Sequence, residues 1–186
     1  MSGGRGTPWP QARELVLELQ RRLAPHLERV EVAGSVRRMV GLVGDLELVG
    51  VPRMAQDLLG PTGEPDLEGL TAELEKLGKR KRGATRYVRY DRVLGSQLSL
   101  DLFLVHPPAE WGSIYAIRTG PAALGRFCVQ KMRDELGLQH VDGYVRDART
   151  RERRPTPTER DFFELAQVDF VAPEYRASLA QRLGAW

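Results

Sequence analysis

The sequence predicts an α+β protein, and three observations carry that prediction. Apolar residues recur at helical spacing in two stretches, Leu15, Val16, Leu19, Leu23 and Leu27, then Leu67, Leu70, Leu74 and Leu77. Short apolar or alternating runs read as strands at Val30-Glu31-Val32, at Leu46-Glu47-Leu48-Val49-Gly50-Val51, and at Leu98 to Val105. The composition, 41% hydrophobic and 28% charged over 186 residues, is that of an ordinary globular protein able to bury a sizeable core.

The same composition sets bounds on function. A net charge of +3 is small, so any attraction to nucleic acid must come from clustered charge. The single cysteine, Cys128, rules out an internal disulfide and fits a reducing compartment. No apolar run approaches the roughly 20 residues of a membrane span. Met1 to Pro10 lacks the apolar core of a signal peptide and reads as a flexible lead-in rich in Gly and Pro. The expectation is a soluble, intracellular, cytoplasmic monomer with no membrane partner.

In chain order, Pro10 opens the first helix, whose polar side carries Arg13, Glu14, Arg21 and Arg22. A strand at Val30 leads into Gly34-Ser35-Val36-Arg37-Arg38-Met39-Val40-Gly41-Leu42-Val43-Gly44-Asp45-Leu46-Glu47, the stretch around which the chain is organised. If Asp45 and Glu47 lie on the following strand, its period of two puts both carboxylates on one face. Paired carboxylates repel and raise each other's pKa unless a cation sits between them. Mg²⁺ suits such hard oxygen donors. Gly34-Ser35 adds backbone N–H groups and a hydroxyl in a turn able to hold phosphate oxygens. The chemistry suggested is phosphate handling on a metal.

After Pro52 comes a Gly- and Pro-rich loop to Pro65, then a helix from Asp66, its N-cap, to Leu77. From Lys76 to Arg92 the basic residues Lys76, Lys79, Arg80, Lys81, Arg82, Arg86, Arg89 and Arg92 face Asp91 alone, with Tyr87 and Tyr90 interleaved. Such a stretch either follows a phosphate backbone and stacks a base, or is a solvated loop with an edge strand protected by its charge. The next strand is interrupted by one carboxylate, Asp101, which is costly unless it is paired or binds metal. His26 and His106 read as structural or surface residues.

Pro107-Pro108 marks a boundary. A helix follows from Pro121 to Leu136, with Pro at its first position and Gly137 as its stop. Leu138 to Arg146 reads as a hairpin, Arg146 to Arg154 as an exposed basic turn, and Thr158 to Glu164 as a capped short helix. A last short helix runs from Tyr175 to Leu183.

Gly34-Ser35 followed by Asp45-x-Glu47 resembles the nucleotidyltransferase signature. The intervening Arg37-Arg38 and Gly44 narrow the resemblance to the polymerase beta-like DNA polymerase X family. The resemblance covers about residues 10 to 176. It implies a nucleotidyltransferase palm of mixed β-sheet and helices over residues 10–107 and a small α/β thumb-like subdomain over 108–186, after a lead-in of residues 1–9. It further implies that Asp45, Glu47 and Asp101 hold two divalent ions, Mg²⁺ or Mn²⁺, and that Ser35, Arg38 and Gly44, with the amides around Gly34, hold the triphosphate. Asp101 matches the third catalytic aspartate, which accepts the proton of the primer 3′-hydroxyl. Glu47 stands where these polymerases usually have Asp.

Trp111 to Gly120 resembles the segment that opens the thumb. Thr119-Gly120 is kept, and Ile117-Arg118 replace the aromatic pair that packs on the incoming sugar. Lys131 and Arg133 are candidates on the template side. Pro173, Glu174 and Arg176 match the family's closing turn, read here as a structural clamp. Lys79, Arg80, Lys81, Arg82, Arg86 and Arg89 are the candidates for nucleic-acid contact. The form is minimal, as in small viral members, so a phage or viral source is one expectation.

The expected activity is transfer of a nucleotide from an NTP or dNTP to the 3′-hydroxyl of a primer or gapped DNA, with release of pyrophosphate, in small-scale repair or terminal transfer. Two alternatives stand beside it. One is the same fold acting on RNA, a small molecule or a protein. The other is a catalytically idle nucleic-acid-binding module.

Overall fold

The computed structural model describes residues 6–58 and 60–185, and within them the protein is a mixture of helices and strands around a mixed sheet. The chain divides into two compact units. One takes the chain up to Val36 and Val40–His106, and the other takes Arg37–Met39 and the chain from Pro107 on.

The first unit opens with β1 (Thr7–Pro8), α1 (Trp9–Leu23) and β2 (Leu27–Val32). Residues 1–5 of the expected lead-in lie outside the described residues. From Thr7 the chain is already a strand, paired with Leu42–Val43 (β3) beyond a single helical turn, α2 (Gly34–Arg37). The Trp9 indole N–H donates to the Val36 carbonyl at 2.8 Å, which ties the start of α1 to that turn. Then come β4 (Leu46–Pro52), a hairpin of β5 (Met54–Asp57) and β6 (Gly60–Pro65), and α3 (Glu68–Leu77). A second hairpin, β7 (Lys79–Gly83) with β8 (Tyr87–Asp91), precedes β9 (Leu100–Leu104).

Five of these strands form one sheet in the order β2-β4-β9-β8-β7. Only β4 and β9 run parallel, and every other pairing is antiparallel. The period of two divides the sheet into two chemistries. Leu46 and Leu48 of β4, Leu100, Leu102 and Leu104 of β9, and Val88 and Tyr90 of β8 turn to one face. There they are buried with Ala12, Val16, Leu19 and Leu23 of α1 and Leu70, Leu74 and Leu77 of α3 in a single core. Truncating one of these leucines to Ala would cost about 2–5 kcal/mol. Glu47, Asp101, Tyr87, Arg89 and Asp91 have the opposite parity, while Asp45, expected on the strand, lies in the bend just before β4.

Two helix boundaries in the first unit differ from the sequence reading by more than one residue. Leu27, placed on the stripe of the first helix, begins β2 instead, because Pro25 breaks the helix into a short 3₁₀ turn at Ala24–His26. The second helix begins at Glu68, and Asp66 stands just outside, its Oδ1 accepting from the Glu68 amide at 3.2 Å. The Gly- and Pro-rich stretch read as a loop contains the β5–β6 hairpin.

The second unit holds α4 (Trp111–Thr119), α5 (Ala122–Glu135), and a three-stranded antiparallel sheet of β10 (Leu138–Val141), β11 (Tyr144–Asp147) and β12 (Arg153–Arg154). It closes with α6 (Glu159–Leu165) and α7 (Arg176–Arg182). Thr158 and Asp161 form a reciprocal capping box at the start of α6. Its core gathers Leu124, Cys128 and Met132 of α5 with Phe162, Phe163 and Leu179. No helix among the described residues is long and apolar enough to cross a membrane.

Candidate active site

The register of the first unit's sheet builds the site. Across the parallel pair, Glu47 on β4 stands directly opposite Asp101 on β9. Across the antiparallel pair, Asp101 stands directly opposite Arg89 on β8. Three strands therefore contribute a row of two carboxylates and a guanidinium, and Asp45, in the bend before β4, approaches the guanidinium of that row. Asp101 is 8% exposed, so its charge needs partners.

Those partners are close. Arg89 Nη1 lies 2.8 Å from Asp101 Oδ2 and 3.0 Å from Oδ1, and the Tyr87 hydroxyl donates to Oδ1 at 2.8 Å. The same Arg89 nitrogen lies 3.9 Å from Asp45 Oδ2, and its Nε lies 3.6 Å from Asp91 Oδ1. Burial pulls the Arg89 pKa down, but Asp101, Tyr87 and Asp45 outweigh it and hold the guanidinium above its ordinary value. Tyr87 in turn stacks on Phe103 with ring centroids 5.1 Å apart.

Gly34 closes this row from the side of α2. Its φ of +61° lies in the left-handed region, and a Cβ there would overlap the Glu47 carboxylate and come within 2.9 Å of the Glu47 Cβ. Only glycine lets the turn approach Glu47 this closely. The Ala33 amide donates to the Glu47 carbonyl at 2.9 Å, fixing the turn to β4. The neighbouring Ser35 hydroxyl is buried with no hydrogen-bond partner among the described residues. At Gly44 an added Cβ would meet nothing within 4 Å.

The hard oxygen donors of Asp45, Glu47 and Asp101 suit a divalent ion. Among the described residues, however, no three acidic, histidine or cysteine side chains converge tightly enough to hold one. Sequence reasoning placed Arg89 on a phosphate track, and in the structure its guanidinium is engaged within the carboxylate row. The alternation Tyr87-x-Arg89-x-Asp91, three polar side chains on one face of a strand, is the signal that could have found it.

Lys79, Arg80, Lys81 and Arg82 lie exposed on β7, at the edge of the sheet. Lys81 pairs with Asp91 at 3.0 Å, Arg82 lies 5.5 Å over the Tyr87 ring, and Arg86 donates to the His106 carbonyl at 3.0 Å.

The organising motif is shared between the units, since Arg37 and Arg38 belong to the second. Arg38 Nη1 donates to the Thr119 carbonyl, beside Gly120, whose φ of +69° leaves room for that nitrogen. Arg37 donates to the Thr119 hydroxyl and makes a two-pronged pair with Glu159, at 2.7 Å to Oε1 and 2.6 Å to Oε2. Its guanidinium lies 4.0 Å over the Tyr115 ring. Arg176, fully buried, donates to Glu159 Oε1 at 2.9 Å. Sequence reasoning missed Arg37 and Glu159, because a pairing 122 residues apart leaves no local trace. Ile117 and Arg118 line a cavity of about 410 Å³ together with Arg126, Val129 and Arg133. Lys131 instead donates to the Gln167 carbonyl at 3.1 Å.

No family model and no curated protein matches this chain.

Proposed function

We propose that this protein is a divalent-metal-dependent nucleotidyltransferase of the polymerase X type, adding nucleotides to a nucleic-acid 3′-hydroxyl. One observation carries the reading: Glu47 and Asp101 are register partners across a parallel strand pair, and Asp45, just before β4, lies 3.9 Å from the same Arg89 nitrogen that holds Asp101. A sheet that only needed stability would not bring these carboxylates side by side.

Asp45, Glu47 and Asp101 would hold two ions, Mg²⁺ or Mn²⁺. Such ions neutralise charge on the attacking and leaving oxygens of an in-line displacement. Asp101 then accepts the proton of the primer hydroxyl as that oxygen attacks the α-phosphorus. The buried Ser35 hydroxyl and the amides near Gly34 and Gly44 donate to the β- and γ-phosphates and favour the departing pyrophosphate. Arg38 on the triphosphate, and Ile117 to Gly120 toward the sugar, are assigned by the resemblance. Lys79, Arg80, Lys81 and Arg82 offer the exposed cations that a phosphate backbone needs.

A second reading, an idle nucleic-acid-binding module, draws on Arg89, which already neutralises Asp101. Incorporation of labelled dNTP and NTP on single-stranded, gapped and RNA primers separates the readings. Extension that requires Mg²⁺ or Mn²⁺ and fails in Asp101→Asn supports the transferase, and the substrate that is extended names its class. Tight nucleic-acid binding without extension on any primer overturns it in favour of the binding module.

A further inference from the structure

One basic stretch plays no part in the transferase reading, Arg146 to Arg154, which forms the end of β11, the whole of β12 and the turn between them. We propose that the sheet face bearing Arg146, Arg151 and Arg153 is a second nucleic-acid contact. It takes the phosphates of an unpaired strand and stacks one of its bases. This surface lies wholly within the second unit and is independent of the carboxylate row.

Strand alternation sorts the three-stranded sheet into two faces. Leu138 and Val145 are buried in the second unit's core, and His140, the register partner of Val145, meets Phe162 on that side. Gln139, Tyr144, Arg146 and Arg153 have the opposite parity. Gln139 stands directly opposite Arg146, and Arg146 directly opposite Arg153, so one polar row crosses all three strands. The row sets two like charges side by side on neighbouring strands, a pairing that destabilises a sheet when nothing compensates it.

Arg151 turns back onto the same row. Its Nη1 lies 3.1 Å from Gln139 Oε1, and Arg146 reaches that same oxygen with both Nε and Nη2 at 3.3 Å. Two guanidiniums therefore converge on a single neutral acceptor. The nearby acids are engaged elsewhere. Asp147 accepts from the amides of Arg149 and Thr150 at 2.9 and 2.8 Å, and both Asp147 and Glu152 lie 3.8 Å from Arg154. Among the described residues, no carboxylate comes within 4.0 Å of the guanidiniums of Arg146, Arg151 or Arg153. Arg37 and Arg176 are placed differently, since both bond to Glu159. There the fold supplies the anion. Here it supplies an amide oxygen that orients two arginines without neutralising them, and that occupies only a fraction of their five N–H donors each.

Guanidinium forks match the oxygens of a phosphate in pairs. Arg146 and Arg151, gathered on one atom, close on one phosphate, and Arg153 on the neighbouring strand meets the next. Arg153 also lies 4.2 Å over the Tyr144 ring, and unpaired bases stack on aromatic rings and on guanidinium planes alike. An acidic peptide would use the charge and leave that stack idle. Arg151 and Arg153 are exposed, and β12 is an edge strand, so an extended chain can lie along the row.

The test is binding of a fluorescein-labelled oligothymidine strand to the full chain, followed by anisotropy across a salt series without nucleotide or divalent ion. Arg146→Gln, Arg151→Gln and Arg153→Gln combined should weaken binding about tenfold or more at low salt. The slope of log K against log salt should fall by about 1.4, two phosphates at about 0.7 each. Gln139→Glu keeps all three arginines and gives Arg146 and Arg151 an internal anion. It should weaken binding severalfold while the urea midpoint holds or rises; arginines with a merely structural role would leave strand binding unmoved. Tyr144→Leu should weaken binding about fivefold or more with the salt slope unchanged, and should not affect a polyglutamate peptide, which has charge and no bases.

Unchanged affinity and slope in the triple variant, or unchanged affinity in Gln139→Glu, overturns the inference. If only the combined change of Lys79, Arg80, Lys81 and Arg82 to Ala weakens the strand, this face carries nothing and the nucleic-acid reading of the first unit stands. Equal losses of strand and polyglutamate in the triple variant, with no effect of Tyr144→Leu on either, make this a general anion surface and overturn the assignment of a nucleic acid. A wild-type chain that binds no strand overturns both readings.

Discussion

Each unit places arginine against buried carboxylate, and the two arrangements are opposite in kind. In the second unit one acid, Glu159, collects two arginines, a two-pronged pair from Arg37 and a further bond from the fully buried Arg176. In the first unit one arginine, Arg89, is spread over three acids, at 2.8 Å from Asp101, 3.9 Å from Asp45 and 3.6 Å from Asp91. A carboxylate with two cations and 8% side-chain exposure has nothing to offer a ligand. It acts as a clamp, joining Arg37, α6 and α7. Arg89 is divided among several acids at unequal distances, and one of them, Asp91, has Lys81 as a second cation at 3.0 Å. The difference teaches that burial and ion pairing alone do not mark function.

The largest expected effect tests the first half of that contrast. Asp45→Asn and Asp101→Asn should each lower nucleotide incorporation by several orders of magnitude, on the order of 4 kcal/mol or more in the barrier. Asp45→Asn should stay within about 1 kcal/mol of wild type in unfolding free energy, because Asp45 is partly exposed, whereas Asp101→Asn weakens a buried pair with Arg89 and should cost more. Incorporation at the wild-type rate in saturating Mg²⁺ would break the comparison.

The clamp should behave in the reverse way. Burial raises the Glu159 pKa, and the hydrogen bonds from Arg37 and Arg176 more than offset it, leaving the carboxyl below its ordinary value. Glu159→Ala strands Arg176 as a buried, unpaired charge and should cost about 3–5 kcal/mol of stability, read from urea midpoints. Loss of incorporation without loss of stability would turn the clamp into a site residue. The linkage has a definite sign. A depressed carboxyl contributes stability that is present above its unfolded pKa of about 4.3, and that is lost as the pH falls below it.

Against these tests, what was legible in the sequence divides along the line between local and distant information. The pairing of faces was legible. Glu47 within an apolar run, and Asp101 alone in another, needed only the period of a strand, whereas Asp45 falls in the bend before β4. The register that sets Glu47 opposite Asp101 was not legible, because strand order is fixed by the whole sheet. Arg89 was read with its basic neighbours because charge density along the chain is a local quantity. Only the alignment of β8 with β9 shows that it faces Asp101. Arg176 stood out through its closing turn, but its partner Glu159 lies 17 residues earlier and was read as part of a helix cap. The hairpin at Met54 to Pro65 escaped for a different reason, since Gly and Pro dominate it and the strand pattern is absent.

A third measurement sharpens the account of the second unit's cavity. Ile117 and Arg118 line it, with Arg126 and Arg133 beside them. If this is the sugar side of the nucleotide, an Ile in place of an aromatic ring gives a softer wall, and Arg offers donors to a 2′-hydroxyl. Discrimination between dATP and ATP on one primer should then be about 10- to 100-fold in kcat/KM, about 1–3 kcal/mol. The double change Ile117→Tyr with Arg118→Phe should raise it. Discrimination beyond about 1000-fold in the wild type would separate the cavity from sugar choice.

The smallest effect expected concerns His140, on β10 of the second unit. Burial lowers its pKa, with the charge of Arg118 adding to the shift. Its Nε2 is buried without a hydrogen-bond partner among the described residues, and its ring meets Phe162 edge-on at 6.2 Å. A histidine held neutral in the folded state is protonated first in the unfolded one, so the unfolded chain binds more protons as the pH falls. Stability should therefore be full above the unfolded value of about 6.5 and decline as the pH drops through that value toward the folded pKa. Carboxylates titrate lower, so the Glu159 clamp contributes no slope between about pH 5.5 and 7, and the His140→Gln variant separates this histidine from His26 and His106. Urea midpoints measured across this window should fall with decreasing pH in the wild type and stay level in His140→Gln. A slope that survives the substitution would mean that protons are taken up elsewhere.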